Sequence, residues 1–431
     1  MPSHPLFEEL TWRGLLYQHT DGLAEALHAG VISGYAGFDP TAASLHVGNL
    51  IPVTGLMHLQ RHGHRPVVLV GGGTGLIGDP SGRATERQLL SADEVEANAA
   101  SIRDQLARFM DFDGARGAVM RNNADWLTKL GAIAFMRDVG KHFTVNYMLQ
   151  KESVSARLDG GISYTEFSYM LLQAYDYVEL WRRDGVQLQV GGSDQWGNIT
   201  AGIELIHRME GTDARGHALT LPMVTTASGA KFGKSVAGAV WLDPKLTSPY
   251  QFYQYWINTD DRDVGKYLRY FTLLGRQEIE QLDASLPAGP EQRDGQRALA
   301  REMTRRVHGD APLRAVEEVS GFYFGGLEPA SLSADALAQL SADAPFAEVN
   351  EQDVAGASAG QLDVLKLLTA AGIANSNSAA RRLLDQGGVS VNKRKLGASD
   401  RFVELSAVLL TGRHIILGKG KREYALVRLR G

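Results

Sequence analysis

Two apolar runs that stop in glycine govern what this 431-residue chain can fold into. Val67-Val68-Leu69-Val70 leads straight into Gly71-Gly72-Gly73, and Val186-Gln187-Leu188-Gln189-Val190 leads into Gly191-Gly192. Such short runs read as strands, and over the first 225 or so residues they alternate with helical patterns, the mark of βαβ units and a parallel sheet. Gly34-Tyr35-Ala36-Gly37-Phe38-Asp39 reads as another strand end, with an amphipathic segment after Pro40 that runs to about His62. The acidic, alanine-rich stretch from Ser91 reads as a helix to about Met110. Loops leaving the carboxyl ends of parallel strands hold ligands, so the glycine-marked ends are expected to border one site.

With 44% hydrophobic residues the chain can bury a large core, and its length points to two to four domains. There is no cysteine, which excludes disulfides, thiol catalysis and thiolate metal sites. No run of roughly 18 apolar residues offers a membrane span, and Met1 to Pro5 lack a basic, then apolar leader. The expected location is the cytoplasm, with no membrane partner. The net charge of -5 hides an asymmetry: from Gln361 to Gly431 there are 13 Lys/Arg against 5 Asp/Glu. A basic end on an acidic body suits a polyanionic partner, although solvated basic faces are common.

Beyond the α/β part, Asn146 to Tyr177 is rich in Tyr, Phe, Met and Leu, which predicts buried helices or a subunit contact. Ser248 to about Phe324 is helical in pattern, and Ser320 to Leu362, without Lys or Arg, reads as a linker or small peripheral element. Leu362 to Ala371 reads as a helix stopped by Gly372. A second helix starts at Asn375-Ser376, carries Arg381 and Arg382, and stops at Gly387-Gly388. Val389-Ser390-Val391-Asn392 then leads into Lys393-Arg394-Lys395, and His414 to Leu417 and Tyr424 to Leu429 read as strands.

Two glycine motifs point elsewhere and fail on context. Gly73-Thr74-Gly75-Leu76-Ile77-Gly78 fits the dinucleotide fingerprint, but Asp79-Pro80 follows where a helix should open. Gly233-Lys234-Ser235 resembles the end of a P-loop, yet Ser228 stands where its first glycine is needed.

His46-Val47-Gly48-Asn49, at the start of a crossover helix, and Lys231-Phe232-Gly233-Lys234-Ser235, about 185 residues later, resemble the HIGH and KMSKS signatures of class I aminoacyl-tRNA synthetases. With Gly71 to Gly82, Gln173-Ala174-Tyr175-Asp176 and Gly191 to Asn198 they resemble the tyrosine-specific, bacterial-type members, and the likeness spans nearly the whole chain. It implies a Rossmann-like parallel-sheet catalytic domain at 1–235, a helical tRNA-binding domain at 236–325, a linker at 326–360 and a small α+β RNA-binding domain at 361–431. It further implies a homodimer with L-tyrosine, ATP and tRNA(Tyr) as partners. Mg²⁺ would accompany ATP, with no protein-held metal.

The resemblance assigns roles residue by residue, and the chemistry suits them. Joining a carboxylate to AMP builds negative charge on phosphate oxygens, so cationic donors and positioning do most of the work. His46 alone reads as a surface or capping histidine; beside a helix N-terminus it can donate to phosphate, and Asn49, in place of the second histidine, still offers an amide. Lys231, Lys234 and Ser235 form a mobile loop for the leaving pyrophosphate, with Arg83 and Arg87 assisting. Gly37, Asp39, Gly192 and Asp194 fall near ATP. Tyr35 and Asp176 would hold the phenol hydroxyl, Asp79, Tyr169 and Gln173 the ammonium group, and Gln195 the carboxylate; Tyr169 and Tyr175 alone read as core aromatics. Arg381, Arg382, Lys393, Arg394 and Lys395 would meet an A-form RNA backbone. The rivals are the tryptophan-specific relatives, which Asp176 with Tyr35 argues against, a nucleotide-dependent oxidoreductase, and a noncatalytic RNA-binding regulator on the same scaffold.

Overall fold

The computed structural model describes residues 4–79, 89–155, 158, 160–229, 232–235, 238–287, 289–420 and 423–431. They form two compact units, Met1–Asp243 with Asn258–Leu299, and Pro244–Ile257 with Ala300–Gly431.

The first unit is built on a six-stranded sheet of β1 (Gln18–His19), β2 (Ser33–Phe38), β3 (Arg65–Val70), β4 (Val119–Asn122), β5 (Val186–Gly192) and β6 (His217–Leu221), in the order β1-β6-β5-β2-β3-β4. All pairings are parallel except that of β1 with β6. Strands buried on both faces by crossover helices need no polar alternation, and Val67, Val68, Leu69 and Val70 are all buried. From β2 the chain winds to β3 and β4 on one side and to β5 and β6 on the other, so the β2/β5 boundary is a topological switch point. The helix Leu50–Arg61 follows β2 and keeps Pro52 in its first turn, where a missing N–H costs nothing. The helix Ala92–Leu106 begins at a capping box in which Ser91 and Glu94 satisfy each other's backbone N–H. A short antiparallel pair, β7 (Lys234–Ser235) and β8 (Gly238–Ala239), completes the unit's strands.

The second unit contains β9 (Phe346–Asn350), β10 (Gln361–Asp363), β11 (Val389–Val391), β12 (Arg394–Leu396), β13 (Phe402–Glu404), β14 (His414–Lys419) and β15 (Glu423–Arg430). Five of them form a sheet in the order β12-β11-β14-β15-β9, and β10 pairs with β13. Side chains on a strand alternate between faces. Ile415, Leu417 and Val427 therefore pack on the helices Val364–Ala370 and Asn377–Asp385. Ile416 and Leu426, on the other face, pack with Val319, Phe322, Leu337 and Leu340 of the helices Asp310–Phe324 and Ala334–Asp343. A sheet covered on both sides explains the unbroken apolar run of β14.

Two domain expectations need correction. The helical stretch 236–325 is not a body of its own: Asn258–Leu299 belongs with the first unit and the rest from Pro244 with the second. The stretch 326–360 is not a tether either, because it carries the helix Ala334–Asp343 and β9, which pairs in parallel with β15 from Phe346↔Leu426 to Asn350↔Arg430. A chain ended at residue 360 is therefore expected to bind an apolar dye such as ANS and to be cut by protease between 326 and 350, because Phe322, Leu337 and Leu340 lose their cover. Unchanged dye binding and cleavage would mean a freely tethered domain.

Candidate active site

A cavity of about 290 Å³ opens at the switch point. Its lining includes Tyr35, Gly37 and Asp39 from β2 and its end, His46 and Asn49, Asp79, Tyr169, Gln173 and Asp176 from the helix Tyr164–Asp184, and Gly192 and Gln195 after β5. Residues scattered over 160 positions thus converge on one space.

The closed end is organised by Asp176, which is 2% exposed. Its Oδ2 accepts from Asn123 Nδ2 at 2.8 Å and its Oδ1 from Trp126 Nε1 at 2.7 Å. Burial pushes this carboxyl up to about 8, against the two donors, which favour the anion. Tyr35, 1% exposed, keeps its Oη buried without a hydrogen-bond partner among the described residues, as does Gln189 with Oε1. The two are register partners on β2 and β5. Burial, then the Asp176 charge, raises the Tyr35 phenol well above its ordinary value. Leaving a hydroxyl dry and unpaired costs about 1–3 kcal/mol, so this end is shaped for a ligand that carries its own polar group.

Toward the opening the groups are linked in a chain. Tyr169 Oη donates to Asp39 Oδ2 at 2.8 Å, and Thr74 Oγ1 donates to Asp39 Oδ1 at 2.7 Å. Gln195 Nε2 donates to Asp79 Oδ2 at 3.0 Å, while Gln173 joins Gln195 at 3.3 Å and accepts from Asn198 at 3.0 Å. Burial and the neighbouring Asp79 raise the Asp194 carboxyl, in the turn Ser193–Gln195. Such a carboxylate-lined wall suits a cation. Asn123 ties this wall to the glycine loop: Nδ2 also reaches Thr74 Oγ1 at 2.9 Å, and Oδ1 accepts from Gly73 N at 2.7 Å. Gly71 has to be glycine because a Cβ would stand 2.1 Å from Asp39 Oδ1, whereas one on Gly37 would meet nothing within 4 Å. Gly37 leaves bare backbone facing the cavity.

His46 caps the turn Val47–Asn49 that runs into the helix Leu50–Arg61. Its Nδ1 accepts from Gly48 N at 3.0 Å and its backbone N donates to Asn49 Oδ1 at 3.0 Å. The capping reading and the site reading therefore both hold, for the bond to Nδ1 leaves Nε2 as the donating nitrogen of the neutral ring. The lysine loop is fastened beside it. Val47 N donates to Val240 O, Val240 N donates to Gly233 O, and a Cβ on Gly233 would lie 3.2 Å from Val47 Cγ2. Phe232 is buried and stacks on Phe271 at 5.1 Å and 8°, while Lys234 is exposed on β7. Arg83, Arg87, Lys231 and the side chain of Ser235 lie outside the described residues. The fingerprint-like Gly73 to Gly78 forms the turn Thr74–Leu76, and the next described helix starts at Ala92.

A family model for tRNA synthetases class I (W and Y) matches residues 28–324, and one for a tyrosine–tRNA ligase SYY-like C-terminal domain matches residues 337–427. The tyrosine–tRNA ligase of Roseiflexus castenholzii is 53% identical over 98% of this chain and 99% of its own, and that of Anaeromyxobacter dehalogenans strain 2CP-1 is 51% identical over 99% of each. The chain belongs to the tyrosine–tRNA ligase family. A C-terminally truncated mitochondrial tyrosyl-tRNA synthetase of Aspergillus nidulans superposes with a TM-score of 0.66 at 31% identity, over 73% of this chain and 92% of that one. A tryptophanyl-tRNA synthetase of Encephalitozoon cuniculi, at 13% identity and a TM-score of 0.52 over 72% of this chain and 87% of that one, shares the fold alone.

Within this ligase fold, sequence reasoning gave no role to Thr74, Asn123 and Gln189, which line the cavity, or to Trp126. Trp126 reaches Asp176 from just behind the lining. The successive asparagines Asn122 and Asn123, where β4 ends, were the available signal. Among the expected RNA-facing cations, Arg382, Arg394 and Lys395 are exposed and Arg381 pairs with Asp385 at 3.1 Å. Lys393 is different, because its Nζ donates to Phe322 O at 2.6 Å and Leu327 O at 3.2 Å. It is turned into the protein.

The Asp176 shift fixes a sign. A carboxyl near 3.8 when unfolded and about 8 when folded gives stability that is complete below the first value and lost as pH rises through the second. The unfolding midpoint of the wild type relative to Asp176→Asn is therefore expected to fall steadily from pH 4.5 to 8.5. A gap independent of pH would show that Asp176 stays ionised throughout.

Proposed function

We propose that the chain activates L-tyrosine with ATP and transfers it to the 3' end of tRNA(Tyr), and that it reads tyrosine by its phenol hydroxyl. The observation that carries this reading is the closed end of the cavity, where the Tyr35 hydroxyl, buried without a partner among the described residues, shares the lining with the buried, doubly braced Asp176. A phenol can donate to the carboxyl group and accept from Tyr35. Phenylalanine would leave both polar groups unpaired.

The amino acid then lies with its ammonium group toward Asp79, Tyr169 and Gln173 and its carboxylate by Gln195. ATP, entering as its Mg²⁺ complex, lies over Gly37, Asp39, Gly192 and Asp194 with its phosphates toward His46 and Asn49. A carboxylate oxygen attacks the α-phosphorus, the bond to the bridging oxygen of pyrophosphate breaks, and Lys234 and Lys231 offset the charge that builds while His46 and Ser235 donate hydrogen bonds to it, assisted by Arg83 and Arg87. A terminal ribose hydroxyl of tRNA next attacks the activated carbonyl and releases AMP. Arg381, Arg382, Arg394 and Lys395 supply the contact to the RNA backbone. Ile133, Met136, Val145 and Tyr164 are large, apolar and at least half exposed, which supports a second copy packing there as a homodimer. No helix among the described residues is long and apolar enough to cross a membrane.

Tyrosine-dependent ATP–pyrophosphate exchange tests the activity, and Tyr35→Phe tests its specificity. Loss of one neutral hydrogen bond should lower kcat/KM for tyrosine by roughly 3- to 10-fold and leave phenylalanine little changed. A constant preference removes Tyr35 from recognition.

Lys234→Ala should slow the burst of adenylate formation by about 10- to 100-fold, the worth of one charged hydrogen bond in the transition state. An unchanged burst rate sinks the role of that lysine.

A further inference from the structure

The hairpin between β11 and β12 turns through Asn392 and Lys393, both at positive φ (48° and 65°). Two successive left-handed residues are what a two-residue hairpin turn requires. Asn392 is locked into the sheet: Nδ2 donates to Val408 O at 2.7 Å, and Oδ1 accepts from Ile416 N at 2.9 Å. The turn therefore projects Lys393 in one fixed direction, onto the end of the helix Asp310–Phe324.

The contact made there is specific. The last carbonyls of a helix have no partner within it, and a cation at that end also meets the negative pole of the helix. The Lys393 ammonium accepts this position, bonded to Phe322 O and Leu327 O and lying 4.5 Å from the centre of the Phe322 ring. Phe322 is fully buried, and it packs with Ile416 and Leu426 of the sheet. The residues that follow the anchored turn are Arg394 and Lys395, both exposed, the first with a side chain 72% accessible.

We propose that Lys393 is a positioning residue that docks the C-terminal sheet on the helix Asp310–Phe324 and thereby fixes the exposed edge strand β12, which carries Arg394 and Lys395 for the tRNA backbone. This rests on the reading that the C-terminal region binds tRNA. The basic surface is thus presented pre-arranged, and the cost of ordering it is met in folding instead of in binding.

Salt dependence separates an anchor from a contact. A lysine that neutralises a phosphate contributes about 0.7–0.9 to the slope of log K against log salt, whereas an anchor shifts the whole line and leaves its slope alone. In the full-length protein, Lys393→Met should raise amide exchange at least several-fold in the hairpin 391–394 and at 322–328. It should raise the KM for tRNA in charging several-fold at unchanged kcat, and keep both the salt slope and tyrosine-dependent exchange of pyrophosphate. Phe322→Leu, which removes the ring under the ammonium, should give the same pattern and carries the test if Lys393→Met also deprotects β14 and β15. A slope reduced by about 0.7–0.9 with amide protection intact would make Lys393 an RNA contact. Lost protection with an unchanged KM for tRNA would make the dock structural only; either outcome overturns the proposal. If Arg382, Arg394 and Lys395 changed together to Gln leave tRNA affinity and slope unaltered, the underlying reading of the C-terminal region fails instead.

Discussion

Asp176 is a carboxyl group in a place where carboxyl groups are expensive. A buried carboxylate has to be given donors or be neutralised, and the first unit is arranged around supplying them. Trp126 serves one oxygen and Asn123 the other. Asn123 in turn has to be held, and its remaining bonds fasten the backbone of Gly73 and the hydroxyl of Thr74. Through Thr74 the network reaches Asp39, and through Asp39 it reaches Tyr169. The glycines of the loop follow from the same requirement, since Gly72 and Gly73 lie against Asn122, Asn123 and Leu127 and Gly71 lies against Asp39. One buried acid therefore specifies the strand end, the loop and the helix face that together close the cavity.

The segment 232–235 depends on a different kind of constraint. Here Phe232 supplies an apolar anchor, stacked on Phe271 and set edge-on to Tyr267. Gly233 lets the chain pass within van der Waals reach of Val47 and Gly48. Between those two fixed points and β8, Lys234 is displayed from a two-residue strand. The tether is hydrophobic and the residue it displays is cationic.

How much of this the sequence displayed follows from how local each cause is. The helix at Ala92 was legible because Ser91 and Glu94 carry its capping box within four residues. β3 and its glycines were legible because a strand buried on both faces is written in consecutive apolar residues. The helix Val364–Ala370 and the left-handed Gly372 that stops it were legible for the same reason. Tyr35 and Asp176 came from a resemblance, not from any spacing. β9 was invisible, since Phe346-Ala347-Glu348-Val349-Asn350 has weak alternation and is a strand only because β15, some 80 residues later, pairs with it. Asn123 was missed because its partners lie 49 to 53 positions away. The bonds of Lys393 were not legible because the carbonyls it meets lie 66 and 71 positions away.

The two halves of the chain solve opposite electrostatic problems by the same device. At the cavity a carboxyl group is buried, and two side-chain donors hold it while burial still pushes it up to about 8. At the C-terminal sheet a cation is brought in from solvent, and its cost is met by the carbonyls at the end of a helix. In each case a side chain that composition would place on the surface joins elements distant in sequence, because an unpaired polar group in a dry interior is costlier than an imperfectly packed apolar one. Such groups confer geometry more than stability: a misplaced leucine still finds contacts, whereas Asp176 without Asn123, or Lys393 without the end of its helix, has no second place to go.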